Sequence, residues 1–273
     1  MFNQAIFRRA LCPLLAFCLL LCVPAIATEP TETIHIAGRD IPVDAMELEL
    51  SSRGLTDIAP LAKLVLLEEL VLNENAITDL SPLAGLTELK VLYLNTNQIT
   101  DLSPLAGLTN LQLLYLRGNR IEDIAPLTGL TGLFALDLGE NQIEDIWPLV
   151  GMELLVSLTA DGNRLTNLSA LSRMENLWTL GLENNRIADL APLSELPTLD
   201  TLFLSGNEIT DVSPLSRLTT LNLLHLSGNQ LTDITPLAKL KALYTLAIYE
   251  NDDLSIEQIE SLQQALPECK VDY

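Results

Sequence analysis

The chain has 273 residues, of which 48% are hydrophobic and 4% aromatic, and its 36 acidic against 15 basic residues give a formal net charge of −21. Such an apolar chain can bury enough surface to offset the entropy of ordering, which excludes an intrinsically disordered protein. A nucleic-acid-binding protein is also excluded, because neutralising phosphates requires clusters of Lys and Arg that this sequence lacks.

Residues 1–27 have the features of a secretory signal peptide. Arg8 and Arg9 form a positive segment, residues 11–23 are apolar, and Ala25-Ile26-Ala27 supplies a cleavage site of small residues. The apolar run is shorter than the roughly 20 residues that cross a bilayer, which favours a cleaved signal over an uncleaved anchor. We therefore expect a protein that is secreted or resides in the periplasm or cell envelope, with no membrane span after cleavage.

Cleavage after Ala27 changes the charge and the cysteine content. It removes two Arg and no acid, so the net charge goes from −21 to −23. It also leaves Cys269 without a second Cys, so no internal disulfide can form. Cys269 is interpreted as a small hydrophobic residue, with an intermolecular disulfide as the alternative.

Residues 28–44 are predicted to form an N-terminal cap, because the first coil of a repeat array would otherwise expose its core. Two short runs, Ile34–Ala37 and Ile41–Val43, alternate as short strands do.

Residues 45–254 are predicted to form an α/β repeat solenoid of about ten 22-residue coils. Leu recurs at fixed offsets before an Asn that returns every 22 residues, namely at Asn75, Asn97, Asn119, Asn141, Asn163, Asn185, Asn207, Asn229 and Asn251. The Leu pattern fits a short strand that is apolar on one face. One strand cannot bury that face alone, so we expect the coils to stack into a parallel sheet over an aliphatic core.

Three polar or rigid columns follow from the same period. The Asn side chains lie where each strand ends, and they are expected to form a ladder that satisfies backbone groups of adjacent coils. A Pro column fits the first turn of a helix, and the short repeat leaves room only for 3₁₀ turns on the convex side. An Asp column precedes it, and each Asp is expected to accept backbone N–H groups of its own turn, with a shared calcium ion as the alternative.

This pattern, with its Asp-Ile/Leu-Ser-Pro-Leu segment as in residues 101–105, resembles the 22-residue class of leucine-rich repeat proteins. Bacterial internalins and the cytosolic regulatory subunits of protein phosphatase-1 share that class, and the secretion signal favours the internalin-like branch. The resemblance implies a curved solenoid whose concave parallel sheet recognises proteins. The sequence shows no cell-wall sorting motif and no Ig-like module, and its N-terminal cap is shorter than that of internalins.

Residues between the Leu positions of each strand are expected to face the concave side. Aromatic and Arg side chains are favoured at protein contacts, so exposed ones there are the candidate partner-binding residues. The candidates also include one carboxylate and the aromatic residues beside the strands. The full set is Tyr93, Tyr115, Arg117, Asp137, Trp178, Phe203, His225, Tyr244 and Tyr249. The alternative is that the aromatic rings only stack on each other along the strands. Trp147 is expected on the convex side, as a packing variant or a second contact.

Residues 255–273 are predicted to form a C-terminal helical cap. Ser255 precedes an amphipathic segment with acidic residues in its first turns, which is typical of a helix N-terminus. The helix is expected to end near Pro267, and residues 269–271 to return as a final strand.

No catalytic arrangement is found: the sequence has no Gly-rich phosphate loop and no nucleophile elbow, and its carboxylates recur with the repeat. We therefore expect a protein that is not an enzyme and has no cofactor or resident metal. The leading hypothesis is a secreted, monomeric protein–protein interaction module with a partner that is basic. The alternatives are an envelope structural or glycan-binding protein and a subunit that resembles the phosphatase regulators.

Overall fold

The computed structural model describes residues 32–273, so the predicted signal peptide at 1–27 lies outside the described residues. Its first element is an antiparallel hairpin of β1 (Thr33–Ile36) and β2 (Arg39–Pro42). The side chains of Ile34, Ile36 and Ile41 are buried, and they extend the core beyond the first coil. The hairpin lies within the segment where the sequence predicts an N-terminal cap.

One parallel sheet runs through the remainder of the described chain, and its strands follow one another in chain order. Strands β3 to β13 are Glu47–Glu49, Glu69–Val71, Val91–Tyr93, Leu113–Tyr115, Ala135–Asp137, Ser157–Thr159, Thr179–Gly181, Thr201–Phe203, Leu223–His225, Thr245–Ala247 and Lys270–Asp272. The strands β3 to β12 pair at the 22-residue offset of the sequence, as Leu70 with Leu92 shows. The solenoid of about ten coils is confirmed.

The core is aliphatic. The middle residue of every strand from β3 to β12 is a buried Leu, while the flanking strand residues face the other side. Among the described residues the core cluster contains Leu, Ile, Val, Met and Ala and no aromatic side chain. This arrangement explains how a chain with few aromatic residues can still pack a continuous core.

Short 3₁₀ helices form the convex side, as predicted. Within residues 32–273 they are Ala59–Lys63, Ser81–Leu83, Ser103–Leu105, Ala125–Gly129, Trp147–Leu149, Ser169–Leu171, Ala191–Leu193, Ser213–Arg217 and Thr235–Lys239. A Pro occupies the first turn of each one except Ser169–Leu171, where Ala170 replaces it. Proline suits this site because its fixed φ matches the turn and its missing N–H would have no partner there.

The chain turns out of each strand through a left-handed residue. The position before each of the nine ladder Asn residues has a positive φ, whether it holds Gly, as at Gly118, or a larger residue, as at Glu140, and Ser52 takes the same conformation in the first coil. The N–H of that residue donates to the carbonyl of the next coil, for example from Glu140 to Asp161 at 2.7 Å. This turn brings the following Asn side chain into the interior.

The Asn side chains form the predicted ladder. The Asn119 Nδ2 donates to the carbonyl oxygens of Leu94 (3.0 Å) and Leu116 (2.8 Å), and its Oδ1 accepts the Ile99 N–H at 3.1 Å. The next rung repeats this pattern, since Asn141 Nδ2 donates to the same Leu116 carbonyl at 3.0 Å. Each such carbonyl therefore receives one amide from its own coil and one from the next, which ties successive coils together.

The C-terminal end is closed by α1 (Ile256–Ala265) and by β13, which pairs with β12. The Ser255 side chain accepts the Gln258 N–H, as an N-cap does. The Gln258 side chain in turn bonds to the backbone of the last coil at Thr232 and Ile234. The helix and the final strand lie where the sequence predicts them, and Cys269 is half-buried against the core.

Candidate protein-binding surface

The aspartate column lies outside the sheet face and serves the 3₁₀ turns. The Oδ1 atoms of Asp79 and Asp101 each accept the N–H two residues further on at 2.8 Å. The hydroxyl of Ser103 contributes most to holding the pKa of Asp101 below its ordinary value, followed by the Ser103 N–H, and Asp79 opposes both. Asn167, which replaces Asp in one coil, accepts the same bond from Ser169. The predicted hydrogen bond of each Asp to its own turn is confirmed.

The same geometry predicts that calcium does not stabilise the fold. No group of three His, Cys, Asp or Glu side chains placed to hold a metal is found in residues 32–273. Adding millimolar CaCl₂ to the EDTA-treated protein is therefore expected to leave its thermal midpoint unchanged within about 1 °C. Differential scanning fluorimetry with MgCl₂ as the control checks this. A rise of several degrees that only calcium causes would restore the alternative of stacked calcium sites.

The exposed sheet face is organised in two lanes. We call the third residues of the strands the central lane, and the residues two positions later the following lane. Strand register places the central-lane residues side by side in the order Val71, Tyr93, Tyr115, Asp137, Thr159, Gly181, Phe203, His225 and Ala247. The sequence order of the coils therefore becomes a spatial order across the sheet.

Two aromatic pairs bracket the middle of this face. The rings of Tyr93 and Tyr115 stack with centroids 4.6 Å apart and an interplanar angle of 4°. Burial, with smaller effects from Tyr93 and Asp137, raises the pKa of Tyr115 to about 12, so its hydroxyl stays protonated. Phe203 and His225 meet edge to face at 4.9 Å. The two tyrosines therefore stack along the strands, as the alternative interpretation of the aromatic residues expects, whereas Phe203 and His225 do not stack in parallel.

Arg117 is drawn to the acidic residues between these pairs. Its Nη2 donates to Glu140 at 2.8 Å, and its Nη1 lies 3.7 Å from Asp161. The guanidinium lies against Gly139, where a Cβ would collide with Nη1. A residue with a Cβ at position 139 would therefore force the guanidinium to shift from this place.

Asp161 is the most deeply placed carboxylate of the following lane, with its side chain 13% exposed. Its Oδ1 accepts the Glu183 N–H at 2.8 Å. Burial, to which the charge of Glu183 adds, raises the pKa of Asp161 to about 6, although the Glu183 N–H and Arg117 act in the opposite direction. Burial likewise raises the pKa of Asp137. Burial therefore disfavours the charged form of both carboxylates.

Glu183 joins the acidic residues to the second aromatic pair. Its Oε1 lies 3.9 Å from Nδ1 of His225, an ion-pair distance when the imidazole is protonated. The interaction with His225 and a smaller one with the Ser205 hydroxyl hold the pKa of Glu183 below its ordinary value, although burial raises it. His225 therefore contacts both Phe203 and the acidic residues.

The other predicted contact residues lie at the margins. Trp178 and Tyr244 immediately precede strands β9 and β12, and their side chains are 52% and 69% exposed. Tyr249 is 50% exposed in the following lane of the last full coil. Trp147 is exposed on the convex 3₁₀ side and is remote from these lanes in the coil. The structure thus places the candidates in one central region and two margins.

Sequence reasoning missed Val156, an exposed apolar residue next to the start of a strand. Val156 holds the position before β8, between Phe134 before β7 and Trp178 before β9, and all three are exposed. A Val is unremarkable in so aliphatic a sequence. Reading the column of residues that precede the strands would have revealed it.

The sheet and the repeat have counterparts among known proteins. A family model of paired leucine-rich repeats matches residues 65–107 and 109–149. An internalin of Listeria monocytogenes, InlF, is 31% identical over 86% of this chain and 83% of that chain, with a TM-score of 0.59. Internalin C2 of the same organism is 38% identical over 69% of this chain and 83% of that chain, with a TM-score of 0.67.

A leucine-rich repeat protein of Leptospira interrogans is 30% identical over 80% of this chain and 57% of that chain, with a TM-score of 0.75. No curated protein sequence matches. No helix within residues 32–273 is long and apolar enough to cross a membrane. Leucine-rich repeat proteins of the internalin type mediate protein–protein interaction and are generally not enzymes. The repeat, the parallel sheet and these relatives show that the chain belongs to the internalin-like leucine-rich repeat proteins.

Proposed function

We propose that this chain is a secreted or envelope-located module that binds a partner protein on its concave sheet face. The observation that carries this proposal is the arrangement of that face. Two packed aromatic pairs, Tyr93 with Tyr115 and Phe203 with His225, flank a set of half-buried charges on an otherwise regular sheet. Exposed aromatic and Arg side chains at ordered positions are the residues that dominate protein contacts.

In this proposal the sheet face is rigid before binding, and this rigidity favours high affinity. The sheet and the aromatic pairs are formed in the free protein, so binding orders few additional groups and loses little conformational entropy. The formal net charge, −21 for the full chain and −23 after the predicted cleavage, speeds association with a basic partner and makes it sensitive to salt.

The rest of the chain supports this role in the proposal. Residues 1–27 direct export, residues 28–44 and 255–273 cap the core, and residues 45–254 present the surface. In the proposal the exported protein acts as a monomer, because the hairpin β1–β2 and helix α1 each bury apolar residues at one end of the core.

The Tyr93→Ala/Tyr115→Ala double variant is expected to weaken partner binding about tenfold or more, since aromatic hot-spot residues each contribute more than about 1 kcal/mol. The immobilised protein is used to capture partners, which are identified by mass spectrometry, and affinities are then measured by surface plasmon resonance. Tyr273→Ala is the matched control, because Tyr273 is exposed after the last strand and outside the lanes.

Binding that survives the double variant and also Phe203→Ala/His225→Ala would contradict the concave-face proposal. A glycan array run in parallel tests the alternative of glycan binding. If a defined sugar binds and its binding also requires Tyr93 and Tyr115, the concave face binds carbohydrate instead.

A further inference from the structure

An apolar strip lies along the start of three consecutive strands. Phe134, Val156 and Trp178 precede β7, β8 and β9, and their side chains are 38%, 40% and 52% exposed. The equivalent residues of the flanking coils are polar, namely Gln112 on one side and Asp200 on the other. Since neighbouring strands are about 4.8 Å apart, the strip is roughly 10 Å wide and ends abruptly on both sides.

The same three coils carry the acidic residues at the opposite end of their strands. Asp137, Glu140, Asp161 and Glu183 supply four carboxylates, and Arg117 pairs with only two of them. Across β7 to β9 the surface therefore changes from apolar at the strand starts to acidic past the strand ends.

Between the apolar strip and the acidic residues, the central-lane side chains of β8 and β9 are small. Thr159 and Gly181 are the central-lane residues of β8 and β9, and larger side chains flank them, namely Asp137 on β7 and Phe203 on β10. At Gly181 an added Cβ would lie 3.0 Å from Asp161 Oδ1, so glycine leaves room for that carboxylate. A partner side chain that lies over Thr159 and Gly181 therefore meets a carboxylate on one side, an aromatic ring on the other, and further carboxylates past the strand ends.

We infer that these three coils bind a basic amphipathic segment of the partner, whose apolar side chains cover Phe134, Val156 and Trp178 and whose Lys or Arg side chain pairs with Asp161 and Glu183. This inference rests on the proposed function and names the chemistry of its partner. Charge complementarity selects the cation, because the four carboxylates have only Arg117 and, when it is protonated, His225 as cationic neighbours at ion-pair distance.

The strand geometry sets the spacing in that segment. Trp178 and Glu183 are five residues apart along one coil, and Phe134 and Asp137 are three apart. At about 3.3 Å per residue, the apolar and cationic groups of the partner lie roughly 10 to 16 Å apart. An extended segment reaches this distance with two to four residues between them.

A library of random twelve-residue peptides displayed on phage is the probe. Selection on the purified protein is expected to enrich peptides that carry Lys or Arg three to five residues from Leu, Ile, Phe or Trp. Their synthetic forms are then measured by fluorescence polarisation. The Asp161→Asn/Glu183→Gln variant and the Phe134→Ala/Trp178→Ala variant should each weaken binding at least tenfold. Trp147→Ala, an exposed Trp on the convex side, should leave it unchanged.

The outcomes separate this inference from the proposed function. Selected peptides that lack basic residues, or that depend on Tyr93 and Tyr115 but not on Asp161 and Glu183, overturn the inference and leave the concave face as the binding surface. Peptides that bind all sheet-face variants equally overturn both. Failure to enrich any peptide over the combined Asp161→Asn/Glu183→Gln/Trp178→Ala variant also overturns the inference. Circular dichroism of every variant shows that each one is folded.

Discussion

Replacing Asn163 with alanine is expected to lower the free energy of unfolding by about 3 kcal/mol, because the change removes one complete rung of the ladder. Its Nδ2 donates to the carbonyl oxygens of Leu138 (3.0 Å), Ala160 (3.1 Å) and Asp161 (3.2 Å), and its Oδ1 accepts the Ile143 N–H at 2.9 Å. These hydrogen bonds lie in the middle of the solenoid, where neither terminal cap can replace them.

The substitution affects the three carbonyl oxygens and the Ile143 N–H to different degrees. The Leu138 carbonyl keeps a bond from Asn141, and the Asp161 carbonyl keeps one from the Glu140 N–H. The Ile143 N–H loses the bond that Asn163 accepts and stays buried. An unsatisfied buried donor costs about 1 to 3 kcal/mol, and the weakened carbonyls and the small void add to that.

Chemical denaturation followed by circular dichroism measures the effect, and Asn110→Ala is the matched control. Asn110 is exposed and makes one bond, from Nδ2 to the Thr87 carbonyl at 2.9 Å, so its loss should cost less than about 1 kcal/mol. Equal midpoints for the two variants would show that the ladder does not hold the coils together. A lower slope for Asn163→Ala would indicate that the two halves of the solenoid unfold separately.

The repeating part of the fold could be predicted because each recurring residue type, Leu, Asn or Pro, meets one physical requirement of the coil. A buried Leu every 22 residues fixes which strand face is inward, and constant spacing fixes the register at 22 as in Leu70 with Leu92. A polar Asn at the end of each strand has to satisfy backbone groups that the turn leaves unpaired. The 3₁₀ turns follow from the Pro column and from the few residues left.

The candidate surface could be predicted only by position. The lanes follow from strand alternation, but the partner of Arg117 depends on how far a flexible side chain reaches across two coils. The place that the guanidinium takes also depends on Gly139, since a Cβ there would force Nη1 to move. The raised pKa of Asp161 depends on burial by neighbouring coils, which no repeat pattern encodes. Variable positions carry no period, so their contacts appear only in three dimensions.

Replacing Asp161 with asparagine is expected to stabilise the protein by about 2 kcal/mol at pH 7.5 and to have no effect near pH 3. The side chain is 13% exposed and its pKa is raised to about 6, chiefly by burial. Each pKa unit corresponds to about 1.4 kcal/mol, and the expected gain is set below the full shift because Arg117 and Glu183 adjust to the change. Asparagine keeps an oxygen that can accept the Glu183 N–H.

The sign follows from proton binding. Between the ordinary pKa of an aspartate, about 3.9, and the folded value of about 6, the native state holds more protons on Asp161 than the unfolded state does. The contribution of this residue to stability therefore falls as the pH rises through that window. Below it Asp161 is neutral in both states, and the variant and the wild type should unfold alike.

Asp123→Asn is the matched control, because Asp123 is exposed on a convex turn and the structure already accommodates an amide in that column at Asn167. Thermal melts from pH 3 to pH 8 should show a gain that grows only for Asp161→Asn. A loss of stability at pH 7.5 would mean that the pairing with Arg117 outweighs burial.

A carboxylate that lowers the stability of the free protein fits a role in binding, because a basic partner can pair with its charge. The same substitution should therefore stabilise the fold and weaken the binding of basic peptides.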